Sequence, residues 1–75
     1  MTDDDAADRF QRVSEQLKLA FQALASPSVP EADRPDWHRR LIAITNSAKH
    51  DLATAEMRLD RYWADWEDRI GPRPR

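Results

Sequence analysis

Apolar side chains recur at alternating intervals of three and four residues in two stretches of the chain. In the first stretch they stand at Phe10, Val13, Leu17, Ala20, Phe21 and Leu24. In the second they run through Leu41, Thr45, Ala48, Leu52, Ala55, Leu59, Tyr62 and Trp66. This spacing places a single apolar stripe along an α-helix, whereas a strand would alternate at every second residue. The single glycine and the scarcity of β-branched residues also argue against sheet. The sequence therefore predicts an all-α protein.

Prolines mark the boundaries of the two stretches. Pro27 ends the first helix, because a residue that precedes proline disfavours the α conformation. The connector around Pro27 and Pro30 is too short for a domain linker, so it is predicted to be an ordered turn. Pro35 suits the first turn of a second helix, and Gly71 with Pro72 is a stop signal. We predict a single domain over residues 1–75, with helix one at about 4–25, a turn at 26–33, helix two at about 34–70 and a mobile tail at 71–75.

The two stripes are predicted to pack together as an antiparallel helical hairpin of the coiled-coil type. Leu17, Leu52 and Phe10 lie on the stripes and are predicted to be core residues. One weak point is the run Thr45-Asn46-Ser47, since such residues favour caps and turns over helix interiors. The heptad continues through this run without a phase change, which favours one continuous helix two. The alternative is a break at Thr45-Asn46-Ser47 that produces a three-helix fold.

A hairpin of this kind leaves the end of helix two without a partner. Helix two is predicted to be longer than helix one by roughly 22 Å, at about 1.5 Å per residue. Its aromatic end would then project into solvent, and exposed apolar patches mark interaction surfaces. Two further apolar residues lie off the main seam. The predicted partner interface is therefore Tyr62, Trp63, Trp66, Ile70, Phe21 and Ile42.

Self-association is the preferred way to cover this interface. A chain of 75 residues buries a small core, and the absence of cysteine excludes disulfides and thiolate metal sites. We predict a homodimer that forms a four-helix bundle. The alternative is a subunit of a hetero-complex that docks its tryptophan-rich helix on a larger protein.

Other classes of function receive little support from the sequence. Trp37, Arg39 and Arg40 form a weak nucleic-acid candidate, but the net charge is −2 and no nucleic-acid motif is present. His38 and His50 lie about 18 Å apart on one predicted helix, so they cannot share a metal ion. No apolar run approaches the ~20 residues of a membrane span. We expect no catalytic, cofactor-binding or metal-binding residues.

The sequence thus predicts a small, non-catalytic protein–protein interaction module in an adaptor or regulatory role. The lack of cysteine suits a reducing cytoplasm. The excess of arginine over lysine suggests a bacterial source. A nucleic-acid-binding regulator is the more distant alternative, and an enzyme built in a helical bundle is more distant still.

Overall fold

Three α-helices and one short 3-10 helix account for most of the chain. The computed structural model describes the backbone of residues 2–74 and the side chains of residues 7–74. The helices are α1 (Thr2–Ala23), α2 (Arg34–His50) and α3 (Leu52–Arg69), and the 3-10 helix (Glu31–Asp33) precedes α2. Residues 2–74 contain no strand. The all-α prediction is confirmed.

Side-chain contacts show that α2 and α3 run in opposite directions. Near the start of α2, Arg40 donates to the Asp65 carboxylate over 2.9 Å. Near the end of α2, the Ser47 hydroxyl accepts a hydrogen bond of 2.8 Å from Arg58 of α3. Residues late in α2 therefore face residues early in α3. This pair of helices forms the antiparallel hairpin, and it lies within the stretch that was predicted to be one helix.

α1 lies parallel to α3 and completes a three-helix bundle. Arg9, in the first half of α1, forms an ion pair of 3.0 Å with Glu56, in the first half of α3. Ala23, the last residue of α1, lines the same groove as Trp66 near the end of α3. The chain thus runs up, down and up again. The predicted two-helix hairpin is wrong, because the second apolar stretch supplies two helices that cover each other and α1.

The predicted continuous helix two is wrong because the chain bends at Asp51. This residue has an extended backbone, with φ −149° and ψ 93°. Its side chain accepts hydrogen bonds from the Thr54 N–H over 3.2 Å and from the Thr54 hydroxyl over 2.7 Å. Aspartate at this position satisfies the free N–H groups of a helix start. The break lies beyond Thr45-Asn46-Ser47, all of which remain in α2.

The run Thr45-Asn46-Ser47 stays helical because its side chains find partners that do not compete with the helix. The Thr45 hydroxyl donates to the Leu41 carbonyl one turn earlier, over 2.8 Å. Such back-bonding is compatible with a helix, which it bends slightly. Ser47 is held by Arg58 of α3. The alternative break at this run is therefore also wrong in position.

We expect Asp51→Ala to lower the urea midpoint of unfolding and the helix content of α3. The Thr54 hydrogen bonds hold the pKa of Asp51 below its ordinary value of 3.8. A carboxyl with a depressed pKa in the folded state stabilises the fold above its unfolded pKa. This contribution should disappear as the pH falls below about 4 through the folded-state pKa. Far-UV circular dichroism in urea at pH 7 and pH 3 measures both effects.

Two variants serve as controls for the Asp51 prediction. At pH 7 the urea midpoint of Asp51→Asn should stay close to that of the wild type, because asparagine caps helices about as well as aspartate. Asp60→Ala removes an exposed carboxylate from α3 and should change the midpoint little. Equal midpoints for Asp51→Ala and Asp60→Ala would show that Asp51 does not stabilise the bend.

The connector between α1 and α2 is an ordered turn, as predicted, and it contributes to the core. Backbone hydrogen bonds of the 3-10 type continue past Ala23, and the last joins Ser26 N–H to the Ala23 carbonyl over 3.0 Å. Val29 is buried, and its N–H donates to the Ser26 carbonyl. Arg34 also donates to this carbonyl, over 3.3 Å. The connector therefore closes one end of the bundle.

The core draws on all three helices and on the connector. The predicted core residue Leu17 is buried, which is confirmed, and Leu52 is partly buried. Phe10 is 55% exposed, so its prediction as a core residue is wrong. The buried residues are Val13, Leu17, Ala20, Val29, Trp37, Leu41, Ile44, Ala55, Leu59, Tyr62, Trp63 and Trp66.

Phe10 is exposed because α2 ends beside it. Phe21 of α1 packs edge-on against His38 of α2, with ring centroids 5.7 Å apart. Phe10 lies eleven residues before Phe21, and Lys49 lies eleven residues after His38. Since the two helices are antiparallel, Phe10 is level with the last turn of α2, which ends at His50. No further turn of α2 is present to cover its ring.

The segment after α3 folds back on that helix. Gly71 has a φ of +146°, a conformation that favours glycine, and it ends α3 as the sequence predicted. Arg73 forms an ion pair of 3.0 Å with Glu67, and its guanidinium lies 5.5 Å from the centre of the Trp63 ring. The predicted mobility of the tail at 71–75 stays a prediction.

Candidate functional site

The three tryptophans and the tyrosine meet in one cluster inside the bundle. The centroid of the Trp37 ring of α2 lies 5.2 Å from that of Tyr62 and 5.6 Å from that of Trp66, and both pairs have edge-to-face geometry. Trp63 lies 5.4 Å from Tyr62 and 5.9 Å from Trp66, again edge to face. Edge-to-face pairs at such separations are favourable beyond the area that they bury. This aromatic cluster joins α2 to α3.

The aromatic cluster is buried by the chain itself. The exposed fraction is 0% for Tyr62, 1% for Trp63 and 3% for Trp66. Ile70 is partly buried against the same core. The prediction that these residues project beyond any partner helix is therefore wrong. The bend at Asp51 returns α3 alongside α1 and α2, and these helices cover the aromatic rings.

Arg40 covers the aromatic cluster from the α2 side. Its guanidinium lies 5.2 Å from the centre of the Trp37 ring and 5.3 Å from that of Tyr62. Asp65 holds it there through the 2.9 Å ion pair. Burial raises the pKa of Tyr62 to about 12, although the positive charge of Arg40 acts in the opposite direction. The phenol is therefore neutral at physiological pH, and the stability that this neutral form provides is lost above pH 10.

Three buried polar atoms of the aromatic cluster lack partners in the described part of the chain. The Tyr62 hydroxyl, the Trp63 indole N–H and the Trp66 indole N–H are buried, with no hydrogen bond to the described part of the chain. A buried polar group without a partner is destabilising. The cluster therefore stabilises the fold through packing and ring geometry.

A different surface, between α1 and α2, exposes large apolar side chains. Phe10 and Phe21 lie eleven residues apart on α1, which is three helical turns, so they share one side of the helix. Ile42 follows His38, the neighbour of Phe21, by one turn of α2. Phe10 is 55% exposed, Ile42 is 43% exposed, and Phe21 is partly buried. Ile42 therefore lies between the levels of the two phenylalanines.

Two uncharged residues lie along the same side of these helices. Ser14 shares the side of α1 that carries Phe10 and Phe21, and Thr45 follows Ile42 on α2. Lys18 lies within one residue of the level of Ile42, Lys49 lies at the level of Phe10, and both lysines are exposed. We name this surface the α1–α2 face, defined by Phe10, Ser14, Phe21, Ile42 and Thr45. Of the six predicted interface residues, Phe21 and Ile42 lie on it.

A second surface, between α2 and α3, gathers arginine side chains around an apolar floor. Arg40, Arg58 and Arg61 line a groove of about 150 Å³, and Ala43 and Ile44 complete it. Arg58 is held by the Ser47 hydroxyl and Arg40 by Asp65. We name this surface the arginine groove.

Sequence reasoning missed Arg58 and Arg61. Because they are three residues apart, they share one side of a helix, and this spacing is visible in the sequence. Their convergence with Arg40 depends on the antiparallel pairing of α2 and α3. A continuous helix two would have kept Arg40 and Arg58 eighteen residues apart along one axis.

The structure separates the residues of the weak nucleic-acid candidate. Trp37 is only 4% exposed and belongs to the aromatic cluster, so its ring is not free to stack on a base. Arg39 is exposed and pairs with Asp36 over 3.4 Å. Arg40 lines the arginine groove. These three residues therefore do not form the basic-aromatic patch that their adjacency in the sequence suggested.

The described residues contain no group of three or more histidine, aspartate or glutamate side chains arranged to hold a metal ion. His38 packs against Phe21, and His50 is exposed at the end of α2. None of the described helices is both long and apolar enough to cross a lipid bilayer. A groove of about 170 Å³ between α1 and α3 is lined mainly by charged and polar side chains.

Comparisons with protein-family models, with curated proteins and with solved structures found no match to this chain.

Proposed function

We propose that the protein is a small, non-catalytic protein–protein interaction module that forms a two-fold dimer through the α1–α2 face. The observation that supports this most is the exposure of Phe10 and Ile42 on one side of a bundle whose other large apolar residues are mostly covered. Among the described residues, the only other exposed large apolar side chain is Met57. Large apolar side chains grouped on one surface are typical of interaction sites.

A second copy of the chain suits this face geometrically. Ile42 lies between the levels of Phe10 and Phe21, which are about 16 Å apart along α1 at 1.5 Å per residue. A two-fold axis near Ile42 would bring the Ile42 side chains together and set Phe10 of each protomer near Phe21 of the other. Such an arrangement is self-complementary, as a two-fold interface requires. It would produce a bundle of six helices instead of the four-helix bundle predicted from the sequence.

The charges around the face also bear on the proposal. Interface cores are poor in charged residues, and the five residues that define the α1–α2 face carry no charge. Lys18 and Lys49, which flank them, have the same sign, so two copies gain no ionic attraction there. The dimer should therefore be held by apolar contact and should not weaken when salt is added.

Ile42→Glu tests the proposal directly. Placing a carboxylate beside the two-fold axis should weaken the dimer at least tenfold, because two like charges would be brought together in an interface that excludes water. Sedimentation equilibrium from 5 to 500 µM protein measures the dissociation constant. Met57→Glu is the matched control, since Met57 is 70% exposed on the outer side of α3. Both variants should keep the far-UV circular dichroism of the wild type.

The outcomes separate the candidate functions. A wild-type protein that remains monomeric at 500 µM would show that self-association is wrong. Equal weakening by Ile42→Glu and Met57→Glu would place the interface elsewhere. The arginine groove lies on a different side of the bundle from the α1–α2 face, so a dimer would present this groove twice. A dimer with two such surfaces suits an adaptor or regulatory role.

A further inference from the structure

The arginine groove between α2 and α3 has features of a binding site for an anionic partner. Three arginines line it, namely Arg40, Arg58 and Arg61. Asp65 offsets the charge of Arg40 alone. Within the described part of the chain, neither Arg58 nor Arg61 has a carboxylate within ion-pair distance. The groove therefore carries positive charge on a chain whose net charge is −2.

Two of the three arginines are held in place before any ligand arrives. Arg40 is fixed by Asp65 and by the rings of Trp37 and Tyr62. Arg58 is fixed by the Ser47 hydroxyl over 2.8 Å. Arginine binds carboxylates through paired N–H groups, and side chains that are already ordered lose less entropy on binding. The third, Arg61, is exposed and available for a ligand.

The apolar floor of the groove limits the classes of ligand that it can bind. Ala43, which is exposed, and Ile44, which is almost fully buried, form the apolar part of the lining. A free phosphate ion would leave this floor exposed to solvent. A nucleic acid would require exposed aromatic rings or a wider basic surface, yet Trp37 and Tyr62 are buried beneath Arg40. An amphipathic helix with glutamate or aspartate beside leucine-like residues satisfies both the charges and the floor.

We infer that the arginine groove binds an acidic amphipathic helix of a partner protein. Arg40 and Ile44 are four residues apart on α2, so the groove extends over about 6 Å along that helix, which is about one turn of a partner helix. Carboxylates of the partner would pair with Arg58 and Arg61, while an apolar side chain at the same face would cover Ala43 and Ile44. This inference does not depend on the dimer, because the two surfaces use different residues.

The probe is a synthetic amphipathic peptide of glutamate, leucine and alanine. The peptide ELAELLEELAEL-NH2, labelled with fluorescein on its N-terminal amine, is titrated with the wild-type protein and followed by fluorescence anisotropy. We expect saturable binding that weakens at least tenfold in the variant Arg58→Gln/Arg61→Gln. A version with every glutamate replaced by glutamine should bind at least tenfold more weakly. Binding of the original peptide should also fall as salt is raised from 50 to 300 mM.

The control variant is Arg69→Gln/Arg73→Gln, which removes two arginines from outside the groove. It should bind the peptide like the wild type, and both double variants should keep the circular dichroism of the folded protein. Absence of saturable binding to the glutamate peptide would overturn the inference. Equal binding of the glutamate and glutamine peptides, or stronger binding of a single-stranded dT12 oligonucleotide or of inorganic phosphate, would overturn it as well.

Discussion

Trp66→Ala should remove most of the stability of the protein. Trp66 is 3% exposed, and its ring packs against those of Trp37, Tyr62 and Trp63. Replacing a buried tryptophan by alanine costs about 3–5 kcal/mol, through lost transfer free energy and the cavity that remains. Small domains have total stabilities of roughly 5 kcal/mol or a little more. We expect a chain that is partly or wholly unfolded at 25 °C, as measured by urea titration with far-UV circular dichroism.

Met57→Ala is the control for this prediction. Met57 lies on α3 as Trp66 does, but it is 70% exposed, so its loss should change the free energy of unfolding by less than about 0.5 kcal/mol. The tryptophan emission of the wild type gives an independent measurement. Since the rings are buried within one chain, the emission should be blue-shifted and shielded from iodide even at 1 µM protein. Emission that becomes shielded only at high concentration would mean that a second chain covers the rings.

The all-α fold class and the helix ends near Pro27 and Gly71 could be predicted from the sequence because they depend on local signals. The 3-4 spacing specifies helix, and Pro27 and Gly71 stop it through backbone sterics that involve few neighbours. Leu17 could be assigned to the core in the same way, because it lies at the centre of the first stripe. Such features do not depend on which helix packs against which.

The bend at Asp51 has a local signal that the heptad pattern outweighed. Asp51 with Thr54 three residues later is a capping arrangement, and it lies where the apolar stripe is weakest, between Ala48 and Leu52. A heptad that keeps its phase is compatible with one long helix. It is equally compatible with two helices that share one core, because the apolar stripes of both then face inward. Periodicity alone therefore could not distinguish the two folds.

The candidate surfaces could be predicted only in part because exposure is a tertiary property. Phe21 and Ile42 were identified as lying off the main seam, which depends on helical geometry alone. The exposure of Phe10 depends on where α2 ends, and the convergence of Arg40 with Arg58 depends on the pairing of α2 with α3. Both facts follow from the bend at Asp51. Because the bend was missed, the predicted interface included Tyr62, Trp63 and Trp66, which are buried.

Leu41→Ala and Phe10→Ala together distinguish the three-helix bundle from the predicted hairpin. Leu41 is 0% exposed, so its truncation should cost about 2–5 kcal/mol and lower the urea midpoint strongly. Phe10 is 55% exposed, and its truncation should cost under about 1 kcal/mol when measured on the monomer at low concentration. In the hairpin, Phe10 would instead be a core residue, and the two variants would lose comparable stability.

Phe10→Ala should have a second effect, on association. Phe10 belongs to the α1–α2 face, so the variant should unfold at nearly the wild-type urea midpoint at 1 µM and yet dimerise more weakly at 100 µM. Association adds stability only at concentrations above the dissociation constant, by mass action. The midpoint of the wild type should therefore rise between these two concentrations, and that of Phe10→Ala should rise less. Leu41→Ala should lower the midpoint at both concentrations, because Leu41 stabilises each chain from within.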